Sequence, residues 1–166
     1  MTEKTYNILF LCTGNSARSI MAEALCATLG KGRFHAFSAG SHPAGTVNRF
    51  AIEQLKGTRY PMDNLRSKSW QEYAQPGAPK MDFVITVCDS VAGAIVPHWP
   101  GQPISSHWGF ADPVAFEGTD AEKQQYFAKI FHQIMRRMTI FVHLPLHMLD
   151  KHAIKHELDE IGQSPA

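Results

Sequence analysis

The chain has 166 residues, 44% of them hydrophobic and 19% charged, with a formal net charge of +1. This length and balance describe one globular domain over residues 1–166 with enough apolar material for a core, and exclude a disordered chain. So small a net charge excludes a broad field for nucleic acid or an acidic membrane, and any anion site must be local. The opening MTEKTYNILFLCTG has no basic segment leading into a long apolar run, and no apolar run approaches bilayer length. A cytoplasmic location without a membrane or nucleic-acid partner is the expectation. The three cysteines, Cys12, Cys26 and Cys88, are too few and too odd in number for a disulfide framework, and point to at least one working thiol.

In chain order, Tyr6 to Leu11 reads as a strand buried on both faces, as in a parallel sheet. A short glycine-containing loop leads into a helix from Arg18 to Leu29, ended by Gly30 and Gly32. RFHAFSAG reads as a second strand closed by Gly40. Thr46 to Leu55 is helical, residues 56–70 are turn-rich, and Trp70 to Tyr73 starts a short helix. Asp82 to Val87 is a third buried strand. IVPHWPGQP is too rich in proline for regular structure, and Gln102 to Trp108 is a fourth strand. From Thr119 to His143 a long helix places Phe127, Ile130, Phe131, Ile134, Met138 and Phe141 at helical spacing. Pro145 breaks it and a last helix runs to Ile161. Strands alternating with helices imply an α/β domain with helices on both faces of a parallel sheet.

The informative segment is Cys12-Thr13-Gly14-Asn15-Ser16-Ala17-Arg18-Ser19, between a buried strand and a helix. In doubly wound sheets that position is the carboxyl edge, where ligands bind. A tight loop entering a helix turns several N–H groups inward, and the helix dipole adds positive potential. Gly14 is the residue expected to free the backbone there, and Arg18 can grip two oxyanion oxygens through its planar fork. Cys12 sits at the centre of this nest, whose donors are expected to lower its pKa and leave a thiolate beside a bound tetrahedral oxyanion. The plain alternative is a structural cysteine ending a strand. Asp112, in the ADP run 111–113, is a carboxylic acid able to protonate a leaving oxygen. Pro113 restricts it to extended backbone, and the alternative role is an Asx turn.

LFLCTGNSARSIMAEA resembles the phosphate loop of the low-molecular-weight tyrosine phosphatase family, and the similarity runs through essentially the whole chain. The resemblance implies a three-layer α/β/α fold with a four-stranded parallel sheet. It makes Cys12 the nucleophile and Arg18 the oxyanion ligand, with the loop from Thr13 through Gly14, Asn15, Ser16 and Ala17 to Arg18 as the oxyanion cradle. Asn15 and Ser19 orient the loop, Ser38 in FSAGS supports Asn15, and Asp112 is the general acid.

Both phosphatases and arsenate reductases use this loop. After Pro113 stand Val114, Ala115 and Phe116, a poor aromatic wall for a phenol ring, and HWGFADP resembles the lead-in of the arsenate reductases of this fold. In the family's sheet the first and third strands are neighbours, about 4.8 Å apart, so Cys12 and Cys88 leave the same edge side by side. A phosphatase needs no second thiol. A reductase does, because a thiol must take the arsenic-bound sulfur and carry two electrons away as a disulfide. Thioredoxin-coupled relatives carry a third cysteine shortly after the second, commonly before a proline. Here Val96 precedes Pro97, and no cysteine follows Cys88. The expected reaction is therefore reduction of arsenate, with phosphate as a competitor and no tightly bound cofactor. Two electron routes remain open. A small external thiol such as glutathione or mycothiol resolves the adduct with a glutaredoxin-like or mycoredoxin-like partner, or a Cys12–Cys88 disulfide is reduced directly, the reductant being a thioredoxin-like or glutaredoxin-like system; a third option is a reductase activity decayed to phosphatase activity. The competing readings are a phosphatase acting on phosphomonoesters, which makes Cys88 a buried strand-end residue, and a non-catalytic oxyanion-binding module.

Cys26 reads as packing. Some relatives bind potassium behind the loop, and the resemblance places the Lys68 ammonium there with Glu23 as partner; the alternative is a solvated lysine. The nine histidines include i,i+4 pairs but no ligand set, so no metal is expected. Trp70, Trp99 and Trp108 read as packing or pocket rim rather than a base-stacking platform.

Overall fold

The computed structural model describes residues 4–92 and 97–165. Residues 93–96, with the Val96 that stands before Pro97, lie outside the described residues. The strands are β1 (Tyr6–Cys12), β2 (Phe34–Gly40), β3 (Phe83–Thr86) and β4 (Ile104–His107). They form one parallel sheet in the order β2-β1-β3-β4. Ile8, Leu9, Phe10 and Leu11 have no exposed surface, the mark of a central strand covered on both faces.

The helices are α1 (Arg18–Leu29), α2 (Arg49–Leu55), the single turn α3 (Asp89–Ala92), α4 (Asp120–Val142) and α5 (Lys151–Gln163). α1 packs on β1, β2 and α4, α5 packs on β4 and α4, and α3 meets β1 and β3. This is the expected three-layer α/β/α arrangement. Phe141 of α4 is its aromatic hub, with ring centroids 5.0 Å from Phe34, 5.8 Å from Phe83 and 5.7 Å from Trp108.

Local chemistry sets the element ends. Thr119 and Glu122 form a reciprocal capping box at the start of α4. Asn48 caps α2 by accepting from the Phe50 amide at 2.8 Å, so that helix begins at Arg49 rather than the expected Thr46. β4 starts at Ile104 rather than Gln102. Gly101 and Gln102 both take positive φ, 97° and 50°, and make a turn, while Pro103 has no N–H for a ladder. Among the described residues no helix is long and apolar enough to cross a membrane.

Phe141→Ala removes the ring on which three others converge. It should lower unfolding free energy by about 3–5 kcal/mol, read from the midpoint of urea denaturation at unchanged slope.

Candidate active site

β1 ends at Cys12 and α1 begins at Arg18, so five residues turn the chain from the sheet edge into the helix. The carbonyls of this loop point outward. Those of Cys12, Thr13, Gly14 and Ser16 accept from the amides of Ser41 (3.2 Å), His42 (2.9 Å), Ala44 (2.9 Å) and Asn48 (2.8 Å). With the carbonyls turned out, the amides turn in. Among the described residues the Thr13, Gly14, Ser16 and Ala17 amides have no protein acceptor, and the Asn15 amide donates to Cys12 Sγ at 3.2 Å. Such a ring of inward N–H groups at a helix N-terminus suits a tetrahedral anion.

Asn15, not Gly14, is the left-handed residue of the loop, at φ 46°. Asparagine tolerates that region because its side chain can bond locally. Its Nδ2 donates to Ser19 Oγ at 2.8 Å, and its Oδ1 accepts from the Lys68 amide at 2.9 Å and from Lys68 Nζ at 3.5 Å. Gly40 in β2 permits this geometry: a Cβ there would lie 2.4 Å from Thr13 O and 3.0 Å from the Asn15 amide nitrogen.

Behind the loop lies a buried polar group. Ser38 Oγ donates to Glu23 Oε1 at 2.6 Å, Tyr60 OH donates to Glu23 Oε2 at 2.6 Å, and Lys68 Nζ lies 3.9 Å from Glu23 Oε1 and 3.4 Å from Ser38 Oγ. Ser38 therefore reaches Asn15 through Lys68 rather than directly. Lys68 is not the solvated lysine of the alternative reading but is buried, and burial pushes its ammonium below the ordinary lysine range while Glu23 pulls it back.

Arg18 Nη1 donates to Phe110 O at 3.0 Å, and its Nη2 lies 3.6 Å from Asp112 Oδ2. Asp112 is extended, at φ −82° and ψ 107°, and its Oδ1 accepts from the Val114 amide at 3.0 Å. It makes the Asx turn and still presents its other oxygen toward Arg18. Of the residues after Pro113, Val114 is exposed and Phe116 stacks on Tyr126 with centroids 4.6 Å apart.

Cys88 follows β3. Leu11 pairs with Thr86 and the Val87 amide donates to Leu11 O at 2.8 Å, which brings Cys12 and Cys88 to one edge of the sheet. Thr13 Oγ1 lies 3.5 Å from Cys88 Sγ and 2.8 Å from Ser90 Oγ, and Ser90 Oγ lies 3.4 Å from Cys88 Sγ. Sequence reasoning did not single out Ser90 or the Thr13 hydroxyl, because their value depends on a contact 75 residues apart in the chain.

Residues 7–156 match the sequence profile of the low molecular weight phosphotyrosine protein phosphatases. The chain belongs to that family. An arsenate reductase of Halalkalibacterium halodurans is 36% identical over 135 residues, which span 81% of this chain and 93% of the relative. Among solved structures, an arsenate reductase of Archaeoglobus fulgidus matches with a TM-score of 0.65 at 23% identity, over 82% of this chain and 99% of that one. A low molecular weight phosphotyrosine phosphatase of Vibrio cholerae matches with a TM-score of 0.61 at 18% identity, over 81% and 92%. These two structural likenesses show the family fold.

The thiols of this phosphatase-family site differ. Burial pushes the Cys12 thiol up; hydrogen bonds with Ser19 Oγ (2.8 Å) and from the Asn15 amide pull it down without overcoming burial. This corrects the expectation of a lowered Cys12 pKa: the donors act in the expected sense, but burial outweighs them and the neighbouring Cys88 adds to the rise. For Cys88 burial also acts upward, yet the Ser90 and Thr13 hydroxyls, the Val91 amide and the Arg18 charge together bring it below the ordinary thiol range. Cys26 has no exposed surface and its thiol is pushed far up by burial, as a packing residue should be.

A thiolate exists above its pKa, so without oxyanion Cys88 should become alkylable at lower pH than Cys12. Iodoacetamide labelling followed by peptide mass analysis across pH 6 to 10, a range of about four units around the ordinary thiol value, reads the order. Faster labelling of Cys12 at neutral pH would show that the loop's field outweighs burial.

Proposed function

We propose that this protein reduces arsenate to arsenite. The observation that carries the reading is a second thiol, Cys88, linked by the Thr13 hydroxyl to the loop that holds the first. The 36% identity to an arsenate reductase supports the same substrate.

The oxyanion binds among the amides of residues 13–18 and the Arg18 fork. Cys12 sulfur attacks arsenic, the thiol proton passes to the oxyanion, and the departing oxygen leaves as water with a proton from Asp112. Cys88 then attacks Cys12 sulfur. The S–As electron pair goes to arsenic, which leaves as arsenite, and a Cys12–Cys88 disulfide remains. A thiol reductant returns the two electrons. The absence of any cysteine after Cys88 favours direct reduction of that disulfide by an external thioredoxin-like or glutaredoxin-like protein, or resolution of the adduct by a small thiol such as glutathione or mycothiol.

Cys88→Ser should stop arsenite release driven by a thioredoxin-like protein, which needs the Cys12–Cys88 disulfide, while leaving release driven by a small thiol and hydrolysis of an aryl phosphate intact; Cys12→Ser should stop all three. Asp112→Asn should slow turnover by about a hundredfold to ten-thousandfold, the usual worth of a positioned acid. Efficient aryl phosphate hydrolysis without arsenite formation under any thiol donor would establish the phosphatase reading instead.

Some relatives hold potassium behind the loop, and the proposal puts the Lys68 ammonium in that place, with its Nζ 3.5 Å from Asn15 Oδ1. Arsenate turnover should therefore be the same in potassium and sodium buffers. Lys68→Ala should lose activity and recover part of it on addition of potassium or ammonium; no recovery would count against this role.

A further inference from the structure

The interior of α4 holds a charge that the proposed reaction does not use. Arg137 falls in the apolar stripe of that helix, between Ile134 and Met138, and is 4% exposed. Among the described residues it has no carboxylate partner. Its Nη1 donates to Gly109 O at 2.9 Å, its Nη2 donates to Ser164 O at 2.8 Å, and its Nε has no hydrogen-bond partner. The guanidinium carbon lies 4.7 Å from the centroid of the Phe110 ring. Burial pulls its pKa down, the expected strain on a desolvated cation.

A buried cation without a counter-charge is costly, and an apolar side chain would fill the same stripe. What only the guanidinium supplies here is a rigid fork that grips two carbonyls and a flat face for an aromatic ring. One arm of the fork and the stacked ring bear on residues 108–112, the strap between β4 and the Asp112 turn. Gly109 O is held directly and Phe110 through its ring, while Phe110 O is the acceptor that fixes Arg18 Nη1 at 3.0 Å. The strap is also closely seated on its other side: a Cβ at Gly109 would come within 2.8 Å of Asp89 Oδ1 and 3.1 Å of His107 Nε2.

We propose that Arg137 is a positioning residue that braces the strap 108–112, and through it sets the place of the Arg18 guanidinium and the Asp112 carboxyl at the oxyanion loop. The second grip, on Ser164 O, joins the end of α5 to the same brace. The proposal rests on the reading of Arg18 as oxyanion ligand and Asp112 as acid.

The test uses the full chain with Arg137→Met, Arg137→Lys, Arg18→Lys and the double variant Arg137→Met/Arg18→Lys, titrated calorimetrically with inorganic phosphate. Arg137→Met should weaken phosphate binding by about tenfold, and the double variant should bind no more weakly than Arg18→Lys alone. In turnover, an acid that must be protonated makes kcat fall as pH rises through its pKa. Arg137→Met should flatten that basic limb as Asp112→Asn does. Arg137→Lys keeps the charge but lacks the fork, so it should show the same losses, and it carries the test if the methionine variant does not fold. Wild-type phosphate affinity and an unchanged pH profile, or losses that simply add in the double variant, would overturn the brace and leave Arg137 a packing residue. The phosphate arm needs no redox turnover, so failure to form arsenite would strike the reductase reading alone. Normal phosphate affinity in Arg18→Lys would strike the site assignment and the brace with it.

Discussion

The loop between Cys12 and Arg18 is held open by carbonyls that face the wrong way for a helix. Four of them are claimed by amides of residues 41–48, outside the loop. This outward pull turns the amides of the loop inward, and a ring of inward amides cannot be made by the loop alone. It requires β2 beside β1, with Gly40 at the point where a side chain would collide with Thr13 O. It also requires a left-handed residue inside the loop, which Asn15 provides while its amide group bridges Ser19 and Lys68. The parallel order of the sheet is thus part of the anion site, because only adjacent strands bring these partners to one edge.

Two buried cations serve this loop in different ways. Lys68 sits among acceptors, with Asn15, Ser38, the Arg66 carbonyl and the Glu23 carboxylate around it. Its charge is partly offset, and Glu23 is itself satisfied by Ser38 and Tyr60. A closed network of that kind fixes one arrangement, since breaking any member strands another in low dielectric. Arg137 has carbonyls and an aromatic face but, among the described residues, no acid. Its positive potential is left less compensated, close to the strap that carries Phe110 and Asp112. The first cation holds the loop from behind, and the second bears on the strap that faces it.

What the sequence made legible was local. The Cys-x5-Arg-Ser spacing falls wholly within one strand–loop–helix junction, and the caps of α4 stand within four residues of each other, so both can be read along the chain. Continuous apolar runs showed buried strands for the same reason. The contacts that tune the site join distant residues. Thr13 meets Cys88, Lys68 meets Asn15 and Arg137 meets Gly109 across separations of 75, 53 and 28 residues. No periodicity marks them. Arg137 is the instructive miss, because a reading that collects Phe127, Ile130, Ile134, Met138 and Phe141 at helical spacing passes over the one charged residue on the same stripe. A charge on an apolar stripe is the signal that could have found it. Gly14 misled for a different reason: glycine is the usual left-handed residue, but here the next residue has the side chain to hold that conformation.

The unequal thiols follow from where each sits. Cys12 ends the central strand under the loop, and burial there pushes its thiol up against the pull of Ser19 and the Asn15 amide. Cys88 begins a turn whose amide and neighbouring hydroxyls, from Ser90 and Thr13, all face its sulfur. A reaction in which one sulfur attacks arsenic and another attacks that sulfur needs the second to be nucleophilic while the first is occupied. Thr13 is placed to couple the two events. Its backbone belongs to the amide ring of the loop and its hydroxyl lies 3.5 Å from Cys88 Sγ, so one residue touches both the loop and the second thiol. A phosphatase would gain nothing from that connection, because its covalent intermediate is resolved by water. On the proposed reading, the link between loop and second sulfur is the feature that separates the two chemistries on an otherwise shared site.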